Sequence, residues 1–282
     1  MRRHPFFQTL WYAMDFLLIG SLILLAFGVM REYSTRRYLK GFADAIVPLS
    51  TEPEQKVEAI LAWIKHGPAR RTTTTATDSL APRDPRDTLN YRELLQVCGT
   101  ATNAFVNLAT SSGLQARRLL LLDENLQSKH VVAEVRVEGR WVVVDPAYRA
   151  MLRDAQGQPL TRQQLNDPRL LREAAQRIEG YPREYSFERS AYVRLARVPV
   201  VGKFLRRTLD SLLPRWEEKM NWTLVLERKS FAVTLLALLL VCFSLVGRLV
   251  LSWYGKQRLG ITRLRLREQL MRAGVVLFSQ SR

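Results

Sequence analysis

The chain has 282 residues, 43 Lys and Arg against 26 Asp and Glu, and a formal net charge of +17. Hydrophobic residues make up 47% and charged residues 24%, which excludes a wholly disordered chain because there is apolar mass for a core. Two cysteines exclude a disulfide-stapled scaffold and a cysteine-based structural zinc site, and three histidines leave little for a histidine-rich metal centre.

The first element is apolar. Phe16 to Met30 carries no charge and extends back through Leu10, Trp11 and Tyr12, broken by Asp15. A second run, Phe231 to Gly247, resumes beyond Arg248 as LVLSWY. A spanning helix needs about 20 mostly apolar residues. Both segments reach that length if the single charge near one end snorkels to the interface. Trp11, Tyr12, Trp253 and Tyr254 fall where an aromatic belt would. The pattern predicts a basic N-terminus over 1–8, a transmembrane helix over 9–30, a linker over 31–50 and a second transmembrane helix over 230–254. Arg2 and Arg3 also suit a cleaved signal peptide, but the apolar stretch exceeds the usual signal core of about 7–15 residues. The tail 255–282 carries Lys256, Arg258, Arg263, Arg265, Arg267, Arg272 and Arg282 against Glu268. That bias favours cytoplasmic termini and a central domain outside, although long loops translocate largely regardless of charge. The same tail can lie on anionic lipid as an amphipathic helix, or stay solvated.

Within the central region, Thr51-Glu52-Pro53-Glu54 is a capping-box pattern. Val57, Ile60, Leu61 and Ile64 follow at helical spacing, with Trp63 beside the stripe, so a helix is predicted over 51–66. Residues 72–86 are polar and proline-containing and read as an exposed loop. Another helix begins near Cys98, with Ala101, Phe105, Leu108 and Ala109 apolar, and stops at Gly113. Leu119 to Leu122 reads as a short buried strand. His130 to Val137 alternates, Glu138-Gly139 signals a hairpin turn, and Trp141 to Asp145 is the return strand. Residues 151–229 read as a basic, mainly helical extension. No phosphate loop, dinucleotide fingerprint or metal-ligand spacing is found, so no cofactor is expected. Nor does an interleaved aromatic pattern point to nucleic acid.

Three residues carry chemistry in this reading. Cys98 is the only cysteine outside the second apolar segment, and a thiol at a helix start is shifted toward thiolate. His130 opens one strand of the hairpin and Asp145 closes the other. With a two-residue turn at Glu138-Gly139, Val137 pairs with Arg140, Glu134 with Val143 and Val132 with Asp145. Alternation then puts Asp145 on the face of His130, one diagonal step away. The opposite face collects Val131, Ala133, Val135, Val142 and Val144, and a one-residue slip would break that apolar face and separate the pair. A thiolate attacks a carbonyl, an imidazole takes and returns the proton, and a carboxylate fixes its tautomer. The amide of Cys98 is the expected oxyanion donor, with Gln96 as a second candidate.

The stretches CGTATNAFVNLATSSGLQARRLLL and KHVVAEVRVEGRWVVVDPAY resemble the transglutaminase-like superfamily over roughly residues 50–150. The resemblance implies an α+β fold: a transglutaminase-like (papain-like) core over 51–150, flanked by two transmembrane helices, in a membrane-anchored protein of bacterial inner-membrane type. Carried over residue by residue, Cys98 falls on the nucleophile, His130 on the base and Asp145 on the orienting acid. Gly113, Ala116 and Arg117 fall on a structural turn, and Trp141, Asp145 and Pro146 on the closing strand. Val132 departs from the pattern, because many members carry an aromatic there.

The implied activity is attack on an amide or peptide bond through a Cys98 thioester. Water would resolve it in a protease or amidase, and an amine in a cross-linking acyltransferase. The other reading is a silent membrane-tethered assembly subunit that holds a peptide or glycan in the same cleft. The expected partners are a protein or peptide substrate, membrane lipids and other members of a membrane complex.

Overall fold

The computed structural model describes residues 5–48, 52–66, 84–193, 211 and 228–259. The chain divides into two compact units, residues 1–30 with 233–282 and residues 31–232.

The smaller unit is built from the first part of α1 (Pro5–Ile46) and most of the C-terminal helix (Lys229–Leu259, labelled α6 below), both long and apolar enough to cross a membrane. Within this unit the two run antiparallel. Gly28 meets Thr234, Gly247 meets Met14 and Gly255 meets Phe7, close enough that an added Cβ at each would come within 3.0 Å. Small residues of this kind let apolar helices approach. The charges that interrupt the two apolar segments do not snorkel independently. Asp15 and Arg248 pair at 2.9 Å, with the guanidinium 5.1 Å from the ring centroid of Trp11. Of the basic tail, only residues 255–259 are described, and they continue α6; the rest lies outside the described residues.

Residues 31–46 correct the expected linker, because α1 runs through them without a break. The charges there sit four apart and pair along the helix, Glu32 with Arg36 and Lys40 with Asp44, while Leu39 and Ala43 are fully buried. Phe42 packs edge-on against Trp63 at 5.1 Å. Trp63 belongs to α2 (Pro53–His66), whose Val57, Ile60, Leu61 and Ile64 are all buried as expected. The loop expected over 72–86 lies outside the described residues except at its end. There Asp84 accepts the Arg86 N–H at 3.0 Å and caps α3 (Pro85–Asn90).

A 3-10 turn over Glu93–Gln96 leads into α4 (Cys98–Ser111). The helix ends in a Schellman motif: Leu114 N–H donates to Ala109 O at 2.9 Å and Gly113 N–H to Thr110 O at 3.2 Å. Gly113 has φ +88°, which explains the glycine. The chain then enters β1 (Ala116–Leu122), β2 (Ser128–Val137) and β3 (Arg140–Asp145), followed by β4 (Ala150–Met151), α5 (Pro168–Gln176) and β5 (Ser190–Ala191). The sheet is antiparallel, in the order β4-β3-β2-β1-β5. Glu138 and Gly139 have φ +48° and +80°, as a type I′ turn requires. The pairing is the one the apolar alternation demands, with Val137 opposite Arg140 and Glu134 opposite Val143.

Two cores result. Ala133, Val135, Val142 and Val144 pack with Ala104, Phe105 and Leu108 of α4 and with α2. Leu119, Leu121, Val132 and Val143 pack with Leu152, Leu160, Leu165, Tyr181 and Phe187. The segment supplying the second core differs from the helical extension expected over 151–229. Between 151 and 193 the regular helix is α5 alone, and the rest is short strands, turns and a 3-10 turn. Most of 194–229 lies outside the described residues.

Candidate active site

The thiol, imidazole and carboxylate are positioned by α4, β2 and β3. Cys98 is the first residue of α4, after Val97 in extended backbone. The α4 register on β2 is fixed by Thr102, whose buried hydroxyl donates to Val131 O at 2.9 Å. His130 lies at the start of β2, beside a β-bulge opposite Leu121 and Leu122. Asp145 ends β3 and is fully buried.

His130 Nε2 lies 2.7 Å from Asp145 Oδ2. The other carboxylate oxygen accepts the N–H groups of Ala147 at 3.1 Å and Tyr148 at 3.3 Å, so the side chain is held from both ends. With Nε2 committed to Asp145, Nδ1 is the ring nitrogen left for Cys98, which is hydrogen-bonded to His130.

The electrostatics follow from these contacts. The bond with His130 is the largest influence on Cys98 and holds its thiol below the ordinary value. Half-burial opposes it, while the charge of His130 and the backbone N–H groups of Val131 and Gly99 add to it. For His130, burial is the largest influence and disfavours the charged ring. Bonds to Asp145 and Cys98 outweigh it and carry the imidazole up to about 9. One proton is therefore favoured on the ring and disfavoured on the sulfur. That pairing can supply a nucleophilic thiolate and an acid able to protonate a leaving amine. Gln96 ends the 3-10 turn two residues before Cys98 and is exposed.

Tyrosines that the sequence reading did not single out surround the imidazole. Tyr185 stacks on His130 with centroids 4.3 Å apart and planes at 9°. Tyr148 meets the same ring edge-on at 5.9 Å, and Tyr181 packs edge-on against both tyrosines at 4.8 and 5.6 Å. Burial and the nearby charge of Asp145 push the Tyr181 phenol up; burial and the bond with Tyr148 do the same for Tyr185. Both shifts favour the neutral phenols of Tyr181 and Tyr185. The available signal was Tyr181, Tyr185 and Tyr192, spaced four and seven residues apart in an otherwise polar stretch. A cavity of about 460 Å³, lined by Leu121, Lys129, Tyr185, Glu188 and Arg189 among others, adjoins Tyr185.

Residues 40–146 match the family model of the transglutaminase-like superfamily. They form a transglutaminase-like domain. The match begins in α1, before the expected core boundary at residue 51, and ends one residue after Asp145. Neither curated proteins nor solved structures gave a match to the chain. The transglutaminase-like domain supplies Cys98, His130 and Asp145, whereas Tyr148, Tyr181 and Tyr185 come from beyond it.

Glu134 and Arg117, deeper in the same sheet, are a structural pair. Arg117 Nε donates to Glu134 Oε2 at 2.8 Å, and its guanidinium lies 4.0 and 4.2 Å from the rings of Trp141 and Tyr192. The Tyr192 hydroxyl donates to the same carboxylate oxygen at 2.8 Å. These two partners, Arg117 and Tyr192, explain the burial of Glu134.

Proposed function

We propose that this protein is a membrane-anchored cysteine enzyme that cleaves an amide or peptide bond through a Cys98 thioester. The observation carrying this reading is the Cys98–His130–Asp145 alignment, with Nε2 held by Asp145 at 2.7 Å and Nδ1 left for the thiol. The Cys98 thiolate attacks the carbonyl carbon, and the oxyanion is met by the Cys98 backbone N–H at the α4 N-terminus, with the exposed Gln96 amide as a second donor. Collapse of the tetrahedral adduct breaks the C–N bond, and His130 gives its proton to the departing amine. Water then attacks the thioester with His130 taking its proton, which returns the thiol and releases a carboxylic acid.

Because His130 serves the leaving amine, that part of the substrate belongs on the imidazole side. The cavity beside Tyr185 supports this assignment, since its volume is that of a small-ligand site. The basic tail supports an inner-membrane protein with both termini cytoplasmic, the domain outside and anionic lipid at the tail.

The test uses the full chain in detergent with p-nitrophenyl acetate as an activated acyl donor. A burst of one phenolate per protein, with an acetyl adduct on Cys98 by mass spectrometry, is expected from the wild type and not from Cys98→Ala. Release of acetate in the presence of added glycinamide identifies a hydrolase, and acetylglycinamide identifies a transferase. No burst and no adduct would overturn the reading and leave a peptide- or glycan-holding cleft.

A further inference from the structure

We infer that Tyr185 is a positioning residue for the base: its ring face holds His130 in plane and stabilises the imidazolium that forms beside the Cys98 thiolate. This rests on the proposed roles of Cys98 and His130.

The first support is geometry. Parallel stacking at 4.3 Å and 9° puts the whole imidazole over the phenol face, where the ring quadrupole attracts a cation. Asp145 and Cys98 each hold one ring nitrogen, but two hydrogen bonds leave the ring free to tilt about the line between them. Tyr185 on its face and Tyr148 at its edge remove that freedom.

The second support is how firmly Tyr185 is itself placed. Its segment is anchored on both sides. Tyr181 and Phe187 are buried in the second core, and Leu122 N–H donates to Arg189 O at 2.8 Å, just ahead of β5. Glu184 pairs at 3.1 Å with Lys129, the residue before His130. Tyr185 also bonds to Tyr148, whose N–H bonds to Asp145 Oδ1 at 3.3 Å. The acid, the base and the stacked ring thus share one short network.

The groups around His130 are known from each packed element: Cys98 from α4, Asp145 from β3, and Tyr148 and Tyr185 from the segment beyond it. Tyr181 faces Asp145, and the Lys129–Glu184 pair lies at the rim. Tyr185 acts on the imidazole as a neutral ring.

The experiment compares the pH dependence of iodoacetamide alkylation at Cys98 in the full chain in detergent, for wild type, Tyr185→Phe and Tyr185→Leu. Cys242 serves as the slow internal control. Leu keeps an apolar cover and removes both the π face and the hydroxyl, whereas Phe keeps the face and removes only the hydroxyl. On the acid limb, Tyr185→Leu should alkylate about tenfold more slowly than wild type, in line with the loss of one desolvated cation–π contact. Tyr185→Phe should follow the wild-type curve. A Leu profile that superimposes on wild type, or a Phe profile displaced as far as Leu, would overturn the role of the ring face. If the wild-type thiol is itself ordinary, the Cys98–His130 reading fails first and this inference with it.

Discussion

One face of the sheet meets α4 and α2 through Ala133, Val135, Val142 and Val144, whereas the other meets an irregular segment through Val132, Val143, Leu119 and Leu121. The helical face carries Cys98 at the start of α4. The opposite face provides the surroundings of His130: a stacked Tyr185, an edge-on Tyr148 and the buried Tyr181. The lesson is a division of labour. The transglutaminase-like domain supplies Cys98, His130 and Asp145, and the segment after it packs tyrosines around His130.

That comparison breaks first if the second face is an appendage rather than a core. Phe105 and Phe187 are matched probes, because each is essentially fully buried, one on each face. Truncation of either to Ala should cost about 3–5 kcal/mol, read as denaturant midpoints of the full chain in detergent. A loss at Phe187 well under that at Phe105 would show that residues 147–193 merely rest on the sheet.

A smaller effect is expected at the ionic centre of the second face. Glu134→Gln keeps the shape but removes the charge opposite Arg117, which is 13% exposed. The cost should be about 1.5–3 kcal/mol by the same unfolding measurement. An unchanged midpoint would mean that the pair merely offsets its own desolvation.

The smallest effect sharpens the comparison at one hydroxyl. Tyr192→Phe removes the 2.8 Å bond to Glu134 and keeps the ring beneath Arg117, so about 1 kcal/mol should be lost. A loss near that of the glutamate substitution would indicate that the hydroxyl, not the guanidinium, contributes most to holding Glu134 in place.

The two faces also differ in how far the sequence disclosed them. The hairpin register followed from strict alternation and from Glu138-Gly139, since slipping by one would have exposed Val135 and Val142. Cys98, His130 and Asp145 came together because that register left no other arrangement for the last two. The second face gave no such signal: β4 and β5 are two residues each, too short to show a period. Tyr181 and Tyr185 are set by tertiary packing rather than by local pattern. Residues 31–46 were read as a linker because their charges end the apolar run, but pairs four apart keep the helix intact beyond it.

The central claim is that a thiolate–imidazolium pair forms between the half-buried Cys98 and the buried His130. It is tested most directly by the thiolate ultraviolet absorbance, taken as wild type minus Cys98→Ala across pH, with His130→Ala alongside. The lowered thiol predicts that absorbance is already present well below the ordinary thiol value of about 8.5. It should persist as pH rises, while His130, carried to about 9, keeps its proton until that point and amide turnover falls above it. In His130→Ala the absorbance should return to the ordinary thiol range. A wild-type thiol that ionises only near that range, unchanged by loss of His130, would contradict the account.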